Sequence, residues 1–314
     1  MTDARSLGAR GPAVTVLGLG CAPLGNLFTA VTDDDAQGTV DAGWAAGLRF
    51  FDTAPLYGNG LSEHRLGAAL RSRPRSEYVL ASKVGRLLRA PEGEASATIF
   101  AGAPPLEPVF DFSRDGVMRS ITESLERLAT DHLVVVHVHD PDDHEQDALD
   151  GAFPALIELR EQGVIGAVGC GMNQWEMLAR FVDRADLDCV LLAGRWTLLD
   201  RSGGDQLLPH CVERGVGVVI GGVFNSGLLA NPEGTPVYDY AAATPDLISR
   251  ATAMRDACAR HGVSLLSAAI QFALSHPAVS SVVVGARSAA EITADAAAAD
   301  VRIPEELWSE LATM

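Results

Sequence analysis

The chain has 314 residues, of which 47% are hydrophobic and 21% charged; that balance excludes a disordered or fibrous chain and allows a large buried core. Its net charge of −17 repels phosphate backbones and anionic lipid, which sets aside nucleic acid and membranes as partners. The N-terminal MTDARSLGARGP lacks a leader's apolar stretch, and no segment approaches the roughly 18 apolar residues of a membrane span, so a cytoplasmic location is expected.

Short apolar or β-branched runs predict strands at Val16–Cys21, Arg49–Asp52, Tyr78–Lys83, Leu133–His139, Gly166–Cys170, Cys189–Ala193, Gly217–Gly221 and Ser281–Gly285. Segments with apolar residues at i, i+3, i+4 and i+7 predict helices between them, at Asp34–Ala46, Gly116–Leu128, Phe153–Glu161, Trp175–Arg184, Pro245–His261, Val263–Leu274 and Ala289–Ala299. Runs such as LVVVHV are apolar on both faces, as in parallel strands covered on both sides. An open sheet also satisfies this, but eight strands whose ends recur about every thirty residues favour one closed (β/α)8 TIM barrel spanning residues 1–314. Two connections are too long for ordinary turns: Arg86–Phe112 after the third strand, and Leu229–Ala243, with Pro232, Gly234 and Pro236, after the seventh. Loops of that length are usually lids or disordered, and both follow strand ends where a barrel builds its active site. The five cysteines, odd in number and embedded in apolar runs, read as small buried hydrophobes.

Four polar groups stand at or just beyond strand ends: Asp52, Tyr57, Lys83 and His139. Each alone has an ordinary structural reading as a cap, rim packing, a solvated charge or a core histidine, but a barrel brings all four together. A phenol exchanges protons near neutrality only if its phenolate is stabilised, and a neighbouring ammonium lowers its pKa by charge attraction. Lys83 could supply that charge, Asp52 could hold the lysine, and His139 could orient the substrate oxygen or share the proton. The set suits hydride chemistry at a carbon bearing oxygen.

The segments LGLGCAPLG, FFDTAPLYGNGLSEHRLGAAL, LASKVG, HVHDPD, GCGMNQ and VVVGARSAAEI resemble, over nearly the whole length, those of the aldo-keto reductases. The resemblance implies a (β/α)8 barrel that binds an extended nicotinamide dinucleotide without a Rossmann domain. It casts Tyr57 as proton donor or acceptor, with Asp52, Lys83 and His139 as its partners. It also sets Gly20, Asp52 and Asn173 beside the cofactor, with Asn173 on the carboxamide. Phe224, Asn225, Ser226, Gly227 and Leu228 would lie over the pyrophosphate, and Gly285, Ala286, Arg287, Ser288 and Glu291 around the adenosine ribose. Where members using NADP commonly carry arginine this sequence has Glu291, so NAD is preferred and NADP possible. Ala193 replaces a glutamine that often contacts the carboxamide, and Gly221 or Gly222 replaces a stacking aromatic, for which Trp196 or Phe224 could compensate. Phe110 and Trp196, with Tyr57 and His139, are expected around the substrate, and the Arg86–Phe112 loop is expected to act as a lid excluding water.

Within the family, DFSRDGVMRSITESLERL, HDPDDHEQD and LLAGRWTLLD are most similar to the aldose 1-dehydrogenase branch, which includes L-fucose dehydrogenase, with pyridoxal 4-dehydrogenase nearby. The implied reaction oxidises the anomeric carbon of a sugar to a lactone; pyridoxal or general aldehyde turnover is the alternative. Two other classes stay open: a metal-dependent hydrolase built on His137 and His139, which share one side of a strand, and a cofactor-binding regulatory subunit without turnover. Monomer and homo-oligomer are not distinguished.

Overall fold

In the computed structural model, which describes residues 3–234 and 237–314, eight parallel strands close into a barrel. They are β1 (Leu17–Gly20), β2 (Phe50–Asp52), β3 (Val79–Val84), β4 (Val135–His139), β5 (Ala167–Met172), β6 (Cys189–Ala193), β7 (Gly217–Gly221) and β8 (Val279–Gly285). Each pairs with its neighbour in sequence, and β8 closes on β1 through Gly285 beside Gly20. All eight predicted strands are present, with ends moved by a residue or two. Several helices begin or end one to two residues from the pattern because caps set their starts: Thr32 accepts from the Asp35 N–H at Asp33–Ala45, and Ser264 from the Ser267 N–H at Leu265–Leu274.

A hairpin that the sequence did not suggest, Ala4–Ser6 against Ala13–Thr15, floors the barrel. Its Leu7 and Val14 are buried with Phe50, Ala81, Val135, Ala167, Cys189, Leu191, Val219 and Val283, which fill the lower interior. Burying each of the larger of these side chains stabilises the fold by about 1.5–3 kcal/mol. The upper interior is built differently. Asp52, Lys83 and His139 project inward from β2, β3 and β4, whereas β1, β5, β6 and β7 contribute only Gly20, Gly171, Ala193 and Gly221 at comparable height. Half of the barrel mouth is therefore charged and filled, and the other half hollow.

The ends of the Arg86–Phe112 connection are regular: Arg86–Arg89 pairs with Glu107–Phe110 as an antiparallel ribbon, with an irregular stretch at 90–106 between them. Its far part docks on the first β–α connection: Phe28 N–H donates to Ile99 C=O at 2.9 Å and Ala101 N–H to Asn26 C=O at 3.0 Å. The Asn59 amide holds the carbonyls of Pro104 and Leu106 at 3.0 and 2.6 Å. Backbone groups paired in this way leave no reason for the segment to stay loose. In the second long connection Val237–Tyr238 pairs with Ala241–Ala242; Pro236 lies outside the described residues. No helix among the described residues is long and apolar enough to cross a membrane.

Candidate active site

The turn after β2 carries Tyr57, and close backbone contact holds it in place. A Cβ on Gly25 would fall 2.6 Å from the Tyr57 carbonyl carbon, and one on Gly58, at φ +63°, 2.4 Å from the Gly25 oxygen. Only glycine fits either position, so GCAPLG and LYGNG interlock. Beneath the turn, Ser62 Oγ donates to Cys21 C=O at 2.7 Å and lies 2.9 Å from Thr53 Oγ1. Tyr57 is thereby fixed over the β3 end.

There Lys83 Nζ donates to Asp52 Oδ2 at 2.7 Å and to Thr53 C=O at 2.8 Å, with both charged side chains buried. The ammonium lies 4.8 Å from the centroid of the Tyr57 ring. His139 meets that ring edge-on, at 5.8 Å and 89°. The structure thus brings all four predicted polar residues into one cluster.

Electrostatically the cluster departs from the expectation that Lys83 makes the phenol acidic. Burial pushes the Tyr57 phenol well above the ordinary tyrosine value, and the Lys83 ammonium pulls it back only in part. Burial alone would strip the lysine's proton, but Asp52 and Tyr57 hold its pKa above the usual value. Burial, then Lys83 and Arg86, keep His139 neutral. The group is therefore a protonated phenol beside a cation and a neutral imidazole.

A cavity of about 320 Å³ opens above it, walled by Leu27, Leu56, Phe100, Met172, Leu191 and Tyr240 among apolar and aromatic groups, and by Arg86, Asp140, Asp142 and Asn173 among polar ones. Phe100 and Tyr240 were not singled out from the sequence. Phe100 stands 6.2 Å from the Tyr57 ring, delivered there by the docked ribbon. Tyr240 and Asn173 both line the cavity, so the second long connection reaches over the mouth.

Two predicted substrate residues lie elsewhere. Trp196 stacks near Phe272 at 4.8 Å and His276 at 5.8 Å, against the outer helix Leu265–Leu274, and is not part of the cavity wall. Its segment turns outward because Gly204 packs under the indole. Phe110, 48% exposed, faces outward and stacks with Phe112 and His144; it reaches the cavity only through the Arg86 guanidinium, 4.8 Å from its ring. Phe224 packs between two hydrophobic clusters, so neither Trp196 nor Phe224 supplies the missing stacking platform.

The hollow half of the mouth and the adjoining rim fit a flat ring with a polar tail. Gly20, Gly171, Ala193 and Gly221 leave the space. Asn225, Ser226 and Gly227, after β7, have successive φ values of 46°, 59° and 101°, a left-handed run of the kind that forms anion-binding concavities. The N–H groups of Asn225, Gly227 and Leu228 are already bonded within this turn, which leaves those of Phe224 and Ser226 for the expected phosphate seat. Asn225 Oδ1 is buried without a partner among the described residues. Leu228 is buried in the core, so only its backbone faces the rim. After β8, Gly285 is exposed and Ala286 buried. Ser288 caps the helix Ala289–Ala299, accepting from the Glu291 N–H, and Glu291 accepts from the Arg287 N–H at 2.8 Å and pairs with its guanidinium at 3.2 Å. Glu291 is thus also part of a helix cap.

His137 lies one layer below, in the barrel interior. Its ring fits because position 169 is glycine, where a Cβ would fall 2.3 Å from Nδ1. Burial and Lys83 depress its pKa to about 3. The Lys83 cation faces both imidazoles, the opposite of what a metal-binding pair needs.

The profile of the Aldo/keto reductase family matches residues 16–314. The chain belongs to the aldo-keto reductases. As a member of that family it is an oxidoreductase, of a kind that works with nicotinamide cofactors. This aldo-keto reductase is similar to the D-threo-aldose 1-dehydrogenase of Pseudomonas sp, 44% identical over 97% of this chain and 95% of the relative. It is also similar to the pyridoxal 4-dehydrogenase of Microbacterium luteolum, 42% identical over 99% and 96%. The holo form of an aldo-keto reductase from Bacillus halodurans superposes with a TM-score of 0.78 at 26% identity, covering 100% of this chain and 96% of that one.

Proposed function

We propose that residues 1–314 form one catalytic domain that oxidises the anomeric carbon of an aldose, of the L-fucose or D-threo type, to a lactone, with NAD preferred over NADP. The reading is carried by the Tyr57 ring over the Lys83 ammonium and edge-on to His139, in a cavity whose opposite wall is stripped to Gly20, Gly171, Ala193 and Gly221. The likeness to D-threo-aldose 1-dehydrogenase over nearly the full chain supports it.

Gly20, Gly171, Ala193 and Gly221 would leave room for a nicotinamide dinucleotide, which would supply the hydride acceptor for the sugar carbon. Tyr57 takes the hydroxyl proton as the carbonyl forms, so it must first be deprotonated; Lys83 stabilises the phenolate and Asp52 keeps Lys83 charged. His139, neutral, orients the sugar oxygen toward Tyr57. Asn173, in the cavity wall, would hold the carboxamide. Gly20 and Asp52 would line the ring's seat, Ser226 and its neighbours from Phe224 to Leu228 would hold the phosphates, and Gly285 to Ser288 would flank the ribose. Glu291 would accept from a free ribose hydroxyl and repel a phosphate there.

Pyridoxal oxidation is a second reading, favoured by the nearly equal identity to pyridoxal 4-dehydrogenase. The test follows reduced-nicotinamide absorbance with NAD or NADP and a panel of aldoses, pyridoxal and simple aldehydes. Aldose-dependent reduction of NAD is the expected result. Turnover of pyridoxal alone establishes the second reading, and no turnover of any substrate leaves a cofactor-binding subunit.

A further inference from the structure

Arg86 and Asp140 form an ion pair in the cavity wall, with Arg86 Nη2 at 3.1 Å from Asp140 Oδ2. That carboxylate oxygen is 3.5 Å from His139 Nε2, so the pair is contiguous with the group facing the Tyr57 ring. Neither residue has a role in the proton-transfer cluster.

Both are held as a recognition pair would be. Asp140 directly follows His139 and sits at φ +41°, a left-handed conformation that costs an L-residue energy and persists only where its surroundings enforce it. Its N–H is bonded to Gly171 C=O at 3.0 Å, which fixes the turn that keeps the carboxylate on the cavity wall. Arg86 is clamped from outside by the Phe110 ring, 4.8 Å away, and its side chain is 16% exposed. Its Nε is buried with no hydrogen-bond partner among the described residues. A guanidinium has five donors; here a largely desolvated one has donors to spare next to the reacting centre.

The chemistry that satisfies this arrangement is an alcohol. A hydroxyl accepts from the guanidinium and donates to a carboxylate, so two neighbouring hydroxyls can use an Arg–Asp pair in both senses, with charge-assisted bonds. An anionic substrate would meet Asp140 and Asp142 with one guanidinium to answer them. A plain aldehyde would leave the spare donors unmet. We propose that Arg86 and Asp140 are specificity-determining residues that hydrogen-bond adjacent hydroxyl groups of the substrate next to the reacting carbon. This rests on the aldose reading above and deepens it.

The test compares kcat/KM for an aldose with that for a hydroxyl-free aldehyde of similar length, in wild type, Arg86→Leu and Asp140→Asn. NADH binding by fluorescence titration checks that each variant is folded, and the isosteric Asp140→Asn keeps the proposal testable if Arg86→Leu does not fold. The expected result is that the ratio of aldose to aldehyde kcat/KM falls at least tenfold in each folded variant, with most of the change in KM for the aldose. Equal losses on both substrates, or an unchanged ratio, overturn the proposal while leaving the aldose reading intact. Wild-type turnover of simple aldehydes with no aldose oxidised overturns both.

Discussion

The contribution of Lys83 to the chemistry can be isolated by discharging it together with its partner. Lys83→Met alone would leave the Asp52 carboxylate buried and unpaired, at a cost of about 3–5 kcal/mol, so the informative protein is the double variant Lys83→Met/Asp52→Asn. The ammonium sits 4.8 Å from the centroid of the Tyr57 ring. At that distance, with an effective dielectric constant near 20, Coulomb's law gives about 3.5 kcal/mol, equivalent to roughly two and a half pKa units on the phenol. The double variant also removes the smaller upward push of the Asp52 charge, so two and a half units is the upper limit of the net shift. Oxidation needs the phenolate, so its kcat/KM at pH 8 should fall by about one to two orders of magnitude, and the rising limb of its pH profile should move up by a similar number of units. Steady-state rates between pH 6 and 10, with thermal melts to confirm folding, provide the measurement. A folded double variant whose profile superposes on the wild type would show that the lysine does not act through the phenol.

Tyr57→Phe removes the exchanged proton and little else; turnover should vanish while NADH titration gives an affinity within about twofold of wild type, and near-normal rates would refute the assignment. Glu291→Arg should shift the kcat/KM ratio toward NADP, and because Glu291 also caps the Arg287 N–H, the melting temperature should drop with the loss of about 1 kcal/mol; an unchanged ratio would detach this residue from cofactor choice. Asp295 is buried, and burial followed by Glu291 raises its pKa to about 7. A carboxyl whose folded pKa exceeds its unfolded value stabilises the protein below pH 4 and loses that contribution as pH rises through 7. Denaturant unfolding should therefore show stability falling between about pH 4 and 7, and Asp295→Asn should abolish the fall, worth about 2–4 kcal/mol by pH 8; equal slopes in the two proteins would disprove it.

The barrel and three of its four key polar residues were legible because strands are local patterns. LRFFD, YVLASK and LVVVHVH each run apolar into a polar residue where the strand ends, and alternation along β4 sets His139 and His137 on one side. Tyr57 was legible from its place in the loop just beyond the Asp52 strand end, but what fixes it there was not, since the Gly25–Gly58 contact joins two distant stretches. Loop side chains were read less well. Trp196 and Phe110 looked like cavity aromatics by position, yet which way a loop residue faces depends on packing partners remote in sequence: Gly204 and Phe272 for one, His144 and Arg86 for the other. Phe100 and Tyr240 went unnoticed for the same reason. Asp140 stood in plain view within HDPDD, but its left-handed backbone and its bond to Gly171 were not visible there. The pKa direction of Tyr57 was misjudged because a sequence displays charges and conceals desolvation.

A segment fastened to the barrel by main-chain bonds at Asn26 and Phe28 and by the Asn59 side-chain amide cannot swing aside without breaking them all together. Tyr240, on the other flank, is held more lightly: half exposed, it lies 6.1 Å from the Phe28 ring, and its N–H reaches Ser226 Oγ at 3.4 Å.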